Sequence, residues 1–229
     1  SMILGTGANT CYTESNRRIL KDSFLSAKDG SSIVNMESGG FDRLLRTQAD
    51  IEVDNATQNT GEQTLEKMIS GAYQGNVFAA LLRQAASEGC FSQRTSERIQ
   101  QLASLDTKEL CDYCNSPSGD GLLSSLTADC EQDALSLLRL ADAMMDRVAA
   151  CVAMTFQGIL TYADLGHDPL RPVCIAIEGS TYVKNPYLQH KIIGRLEQWA
   201  APSIGRHIRL IVPTNANLIG SAIAVHAAE

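Results

Sequence analysis

Val173-Cys174-Ile175-Ala176-Ile177-Glu178-Gly179-Ser180-Thr181-Tyr182 is the stretch on which the fold turns. The apolar run from Val173 to Ile177 is too short for a helix and stops at a Glu178-Gly179-Ser180 turn, so it reads as a buried strand that feeds a helix. A helix from Tyr187 to Trp199, a strand from Ile208 to Val212 and a closing helix from about Leu218 continue the alternation. Strands joined through helices run parallel, with the helices packed on the sheet.

Upstream of that stretch, Asp129 to Tyr162 reads as one long helix with Leu135, Leu138, Ala141, Met145, Val148, Val152, Phe156 and Ile159 as its apolar face. Met144, Met145 and Met154 read as core filler, and Glu88 to Gly121 as a loop-rich excursion with short helices. A further helix is expected from Thr60. Thr60 and Gln63 have capping-box spacing, and Met68, Ile69, Ala72, Tyr73, Val77, Leu81 and Ala85 recur at helical steps. Gly71 and Gly75 interrupt it at ~1 kcal/mol each relative to Ala, which a close approach by another backbone or a ligand would justify. Cys11 to Glu14 and Ser32 to Met36 read as two strands joined by a charged turn around Lys28-Asp29-Gly30. Ile3 and Leu4 form only a stub of a first strand, and Ser1 and Met2 read as a cloning remnant on a truncated chain. The expectation is one α/β domain over residues 3–229, a mixed sheet with helices on its faces that continues upstream.

The chain of 229 residues is 44% hydrophobic and 20% charged, which excludes disorder as its main state. Its net charge of -7 gives bulk electrostatics no attraction for nucleic acid. No apolar run approaches the ~18 residues of a membrane span, so neither a membrane partner nor a secretory signal is expected. Seven cysteines, an odd number in apolar surroundings, fit a reducing cytoplasm. Cys111 and Cys114 form a Cys-x-x-Cys pair without the other ligands of a structural zinc site, and no metal ligand is assigned. The four histidines have no spacing that suggests a triad, and the Gly-x-Ser-x-Gly signature is absent.

Several residues could carry chemistry. Gly5-Thr6-Gly7-Ala8-Asn9 is a glycine turn between strands, whose amides can converge on a phosphate or, more plainly, close a hairpin. Glu37 ends a strand and is followed by Ser38-Gly39-Gly40, which presents its carboxylate at a loop. Glu66, in the first turn of the Thr60 helix, could simply favour the helix dipole. Glu178-Gly179-Ser180 lies beyond the carboxyl end of a strand, where open α/β sheets bind ligands, and Gly220-Ser221 could be a second contact of that type.

Taken in order, Gly5-Thr6-Gly7-Ala8-Asn9-Thr10-Cys11-Tyr12-Thr13-Glu14, Val34-Asn35-Met36-Glu37-Ser38-Gly39-Gly40-Phe41, Leu65-Glu66-Lys67-Met68-Ile69-Ser70-Gly71-Ala72-Tyr73 and Ile177-Glu178-Gly179-Ser180-Thr181-Tyr182 resemble the large domain of hexokinases over nearly the whole chain. The resemblance implies a ribonuclease H-like, actin-like ATPase fold. It also implies ATP with Mg2+ bound through the nucleotide phosphates, and phosphorylation of a hexose, glucose first, at its 6-hydroxyl. Gly5, Thr6 and Gly7 match the family's second phosphate loop. Asn9, Glu37 and Glu66 match its hexose-binding residues, and Gly71, Gly179 and Ser180 match positions beside the nucleotide.

The sequence also departs from the family. Ser38 stands where a Trp is common, Ala72 where some relatives place a nucleotide-contacting Lys, and Thr214 to Gly220 where the family is glycine-rich. Thr95 to Asp106 lacks a threonine-arginine-glycine segment. In hexokinases the first phosphate loop, the catalytic aspartate and the small domain precede the Gly-Thr-Gly turn. The resemblance therefore implies that the small domain of the same polypeptide is a partner, that the base lies outside these residues, and that they are inactive alone. A sugar sensor or scaffold with a decayed ATP site is the alternative.

Overall fold

The computed structural model describes residues 1–213 and Gly220. The closing helix expected from Leu218, the Thr214 to Gly220 departure and the Gly220-Ser221 contact, Gly220 itself apart, lie outside the described residues.

Five strands form one mixed sheet: β1 (Met2–Leu4), β2 (Ala8–Ser15), β3 (Ser31–Asn35), β4 (Val173–Glu178) and β5 (Ile208–Ile211), in the order β3-β2-β1-β4-β5. The β1-β2 and β2-β3 pairs are antiparallel, whereas β1-β4 and β4-β5 are parallel, the latter as the alternation downstream of Val173 predicts. Met2 is set opposite both Thr10 and Ile177, and Ile3 opposite Glu178. The carboxyl ends of β1 and β4 therefore lie side by side, which brings the Gly5 turn and the Gly179 turn to one edge of the sheet.

Met2, set aside as a remnant, is an integral strand residue. It is 1% exposed and Leu4 is 0% exposed, while Ile3 between them is 47% exposed, the two-residue period of a strand with one face in the core. Burying each such side chain stabilises the fold by ~1.5–3 kcal/mol.

Between β2 and β3 lie a 3-10 turn (Asn16–Arg18) and one α-helical turn, α1 (Ser23–Ser26), and after β3 come α2 (Gln48–Asn55), α3 (Thr64–Ile69) and α4 (Gln74–Ser87). Helix α2 was not foreseen. Its signal is the Thr47 capping box, in which the Asp50 carboxylate accepts from the Thr47 amide at 2.7 Å and the Asp50 amide donates to the Thr47 hydroxyl.

The single helix expected from Thr60 is two helices. Thr60 is no cap: its hydroxyl donates to the Asp54 and Thr57 carbonyls in a local turn. Gln63, with φ of 50°, precedes α3. The Ser70 amide still reaches back to the Glu66 carbonyl, and the helix breaks there because the two amides that follow are claimed by the Gly5 turn. Gly71 donates to the Gly5 carbonyl at 2.8 Å and Ala72 to the Thr6 carbonyl at 3.1 Å.

The stretch from Glu88 to Gly121 carries the expected short helices, α5 (Gln93–Gln100) and α6 (Thr107–Asn115), with α7 (Leu122–Leu126) just after it. Helix α8 (Glu131–Tyr162) is long and apolar enough, by length and composition alone, to cross a bilayer, so the expectation of no such run is corrected. Here its apolar stripe is largely buried, with Leu137, Ala141, Met144, Met145, Val148, Val152 and Phe156 in the core. Leu135 is 42% exposed and Leu137 takes its place, while Met154, at 43%, is no core filler. Met154 instead lines an apolar hollow of about 550 Å3 beside Glu37, with Met36, Phe41 and Leu44.

After β4 come α9 (Ser180–Val183), α10 (Pro186–Gly194) and a π-helical continuation over Arg195–Ala200 that runs into α11 (Ala201–Ser203). The expected helix from Tyr187 thus starts one residue earlier, with Pro at its first position, and loses α geometry at Arg195.

Candidate functional site

The site is built around the β1–β2 turn, and α3 supplies its first carboxylate. Lys67 is 4% exposed, and its ammonium is held by the Asp54 carboxylate at 2.7 Å, the Thr57 hydroxyl at 2.8 Å and the Asn59 carbonyl at 2.7 Å. All three ammonium donors are satisfied, which fixes the rotation of α3. Its neighbour Glu66, about 100° around the helix, is thereby turned toward β2, where Glu66 Oε2 accepts the Ala8 amide at 2.9 Å. The acidic residue of the first turn has a specific tertiary partner, beyond any favourable term with the helix dipole.

Glu37 comes from the other direction. Strand β3 ends at Asn35, so Glu37 lies beyond it with φ of 50°, a left-handed backbone that swings the carboxylate back toward β2. Glu37 Oε1 accepts from Asn35 Nδ2 at 2.6 Å and, weakly, from Asn9 Nδ2 at 3.5 Å. Asn9 is fully engaged: its amide nitrogen also donates to Asn35 Oδ1 at 2.7 Å, and its oxygen accepts from the Thr10 and Ser38 amides. Ser38 is buried, its hydroxyl paired with Thr10 Oγ1 at 2.8 Å. A Cβ at Gly39 would lie 3.0 Å from Glu66 Cβ and 3.0 Å from the Ala8 carbonyl, so the Glu37 loop sits directly against α3. Asn9, Glu37 and Glu66 are thus brought together on two adjacent residues of β2. Asn35 and Lys67 complete the arrangement and were not singled out in advance. A polar residue two positions before Glu37, and a lysine within an otherwise apolar stretch, were the available signals.

The residues matched to the nucleotide divide into two groups. Thr6, Gly71 and Ser180 line a cleft of about 340 Å3 with Thr107, Lys108, Cys111, Lys184 and Asn185. Gly5, Gly7 and Gly179 instead lie in the framework. The Gly5 carbonyl accepts both the Gly71 amide at 2.8 Å and the Thr181 hydroxyl at 2.7 Å. Gly179, at φ of 103°, rests on the Leu4 backbone, where a Cβ would come within 2.6 Å of the carbonyl oxygen. At Gly7 a Cβ would lie 2.8 Å from Glu66 Oε2, so Gly7 leaves room for the carboxylate. Close tertiary approaches justify both interrupting glycines: a Cβ at Gly71 would overlap the Thr181 hydroxyl and lie 3.0 Å from the Gly5 carbonyl, and one at Gly75 would overlap the Leu105 carbonyl.

At the cleft wall, burial pushes the Cys111 thiol up to about 11, partly offset by the hydrogen bond it accepts from Asn185 Nδ2 at 3.1 Å. Cys114 is pushed up to about 12 for the same reason. Both are protonated thiols at neutral pH, apolar surface rather than nucleophiles. Among the described residues no group of three His, Cys, Asp or Glu is placed to hold a metal ion.

A family model described as Hexokinase matches residues 1–227. The chain belongs to the hexokinase family. It is similar to human Hexokinase-2, at 30% identity over 211 residues covering 85% of this chain and 23% of that protein. It is also similar to rice Hexokinase-3, at 29% identity over 256 residues covering 100% of this chain and 50% of that protein. Among solved structures, a hexokinase from Schistosoma mansoni, complexed with glucose, superposes with a TM-score of 0.69 at 20% identity, over 93% of this chain and 48% of that one. The five-stranded mixed sheet is thus that of the hexokinase large domain, an actin-like ATPase fold. The hexokinase chain described here spans half or less of each of these relatives.

Proposed function

We propose that this chain is the sugar- and nucleotide-holding half of an ATP:hexose phosphotransferase that acts on the 6-hydroxyl of a hexose, glucose first. The observation that carries the reading is the convergence of Glu66 on Ala8 and Glu37 on Asn9, at the end of a turn whose Thr6 lines the neighbouring cleft. A neutral polyol offers only hydroxyl donors and acceptors. A carboxylate accepts from them in charge-assisted bonds worth ~1.5–3 kcal/mol each. Glu66 Oε1 and Glu37 Oε2 have no hydrogen-bond partner among the described residues, so each carboxylate keeps an oxygen for a sugar. The glucose-bound Schistosoma hexokinase, of the same fold, supports a hexose as the ligand class.

The cleft at Thr6, Gly71 and Ser180 is the place for ATP. The hydroxyls of Thr6 and Ser180, which line it, can donate to phosphate oxygens. Mg2+ arriving with the nucleotide would supply neutralisation of the charge that develops in transfer. The chain's own part is to position: the two glutamates orient the sugar, and the Gly5 turn, shared by both sites, sets its distance from the nucleotide. On the family resemblance, the base for the acceptor hydroxyl lies in a region that precedes the Gly5 turn, and the 229 residues bind without turning over. A cytoplasmic setting belongs to this proposal and is supported by seven free cysteines.

Calorimetric titration of the chain with glucose and with Mg·ATP tests the reading, beside a coupled assay for glucose 6-phosphate. Binding of both ligands without turnover is expected. Sugar binding without ATP binding would favour a sensor, and product from these residues alone would place a base among them.

A further inference from the structure

The nucleotide cleft has a charge pattern that selects one residue. Its titratable lining comprises Asp106, Lys108, Cys111, Asp112 and Lys184. Lys108 is committed to the Asp112 carboxylate one helical turn on. Asp106 caps α6 through the Lys108 amide at 2.8 Å. Cys111 is a protonated thiol. Lys184 has no ion pair or side-chain hydrogen bond among the described residues, and it is exposed at the cleft wall. At the Gly5 end the exposed residue beside the turn is Ala72, which carries no charge.

The backbone sets where the Lys184 ammonium can act. Lys184 closes α9, its amide donating to the Ser180 carbonyl at 3.0 Å. Residues four apart share one face of a helical turn. The lysine stem therefore rises from the same face as Ser180, and both line the cleft with Thr6. Next to it, Asn185 is 0% exposed and caps α10 by accepting the Leu188 amide at 3.1 Å, so the residue that carries the ammonium is anchored on its C-terminal side.

We infer that Lys184 is the cation that meets the phosphate chain of the bound nucleoside triphosphate. This rests on the nucleotide reading of the cleft and deepens it. Neutral hydroxyls and one charged ammonium, unpaired among the described residues, hold the phosphates, whereas Lys108 and Asp112 form an exposed pair that adds little net charge to the cleft.

The experiment is calorimetric titration of the 229-residue chain and its Lys184→Ala, Lys184→Arg and Lys108→Ala variants with Mg·ATP and with adenosine. Lys184→Ala is expected to weaken Mg·ATP about 10-fold, with adenosine changed less than about 2-fold and the salt dependence of ATP affinity reduced. Lys184→Arg should retain most of the affinity, and Lys108→Ala should change it little. Wild-type binding of Mg·ATP with an unchanged Lys184→Ala variant overturns the inference and leaves the nucleotide reading standing. An equal loss for adenosine also overturns it, because the effect would then not pass through phosphate. Failure of the wild-type chain to bind Mg·ATP removes the nucleotide reading and the inference with it. The thermal midpoint of each variant, unchanged for an exposed lysine, separates loss of a contact from loss of fold.

Discussion

Glu66 accepts the Ala8 amide at 2.9 Å, so the carboxylate assigned to the sugar also pins the first residue of β2 after the glycine turn. One oxygen is structural and the other is free, and the two roles separate experimentally. Glu66→Gln keeps an acceptor for Ala8 but loses the charge, whereas Glu66→Ala loses both. Hexose affinity by calorimetry should fall about 10- to 100-fold in Glu66→Ala, the worth of one charge-assisted bond, and by less in Glu66→Gln. An unaltered affinity in both would return Glu66 to an anchoring role alone.

Gly7 gives a second route to the same carboxylate. The Cβ of Gly7→Ala would stand 2.8 Å from Glu66 Oε2, the mobile end of a side chain that can swing aside. Hexose binding should weaken several-fold with the urea midpoint nearly constant. A large fall in the midpoint with normal sugar affinity would show that the turn, not the carboxylate, is what Gly7 protects.

Gly71 is different, because its neighbours do not yield. The added Cβ of Gly71→Ala would overlap Thr181 Oγ1, which is committed to the Gly5 carbonyl, and would press on that carbonyl at 3.0 Å. Overpacking of this kind costs about 1–3 kcal/mol. The measurement is urea unfolding; a neutral substitution would mean that the α3–α4 break can move away from the sheet.

Acid should loosen the support beneath α3. Burial by itself raises the Asp54 pKa, but hydrogen bonds from Lys67, the Gly61 amide and Arg46 outweigh it and hold the carboxyl below its ordinary 3.8. A depressed folded-state pKa means that the contribution is fully present above the unfolded value and is lost as pH falls below about 4. Asp54→Asn should cost about 3–5 kcal/mol at neutral pH, since it strands the buried Lys67, and should flatten the acid limb of a stability-versus-pH curve. An acid limb of unchanged slope would assign that loss to other carboxylates.

The cysteines should react in order of exposure and thiolate character. Cys90 and Cys174 are exposed, whereas burial pushes Cys111 and Cys114 up to about 11 and about 12. Peptide mapping after brief alkylation at pH 8 should find Cys90 and Cys174 modified first. Early labelling of Cys111 would show that the cleft wall opens in solution.

Local pattern went a long way here. The alternation after Val173 was enough to settle parallel strands with helices upon them, because a short apolar run and a helical repeat differ in period whatever surrounds them. The order of four polar motifs was enough to point to the family, and with it to Asn9, Glu37 and Glu66. What the periodicity hid was the break after Ile69. Met68, Ile69, Val77 and Leu81 keep helical spacing across it, yet the amides of Gly71 and Ala72 leave the helix for carbonyls at the far end of the sheet.

By itself, then, the order of residues determined the kind of sheet, most of the elements around it, α2 and the break after Ile69 apart, and which side chains are candidates for the site. Only the tertiary structure decided that Gly7 serves Glu66 while Gly71 serves Gly5, that Met2 belongs to the core, and that among the described residues Lys184 rather than Lys108 is left unpaired at the cleft. The reason is physical. A hydrogen-bond donor or a buried charge takes the nearest partner in space, and for these residues that partner comes from a distant part of the chain or depends on which neighbour has already been claimed.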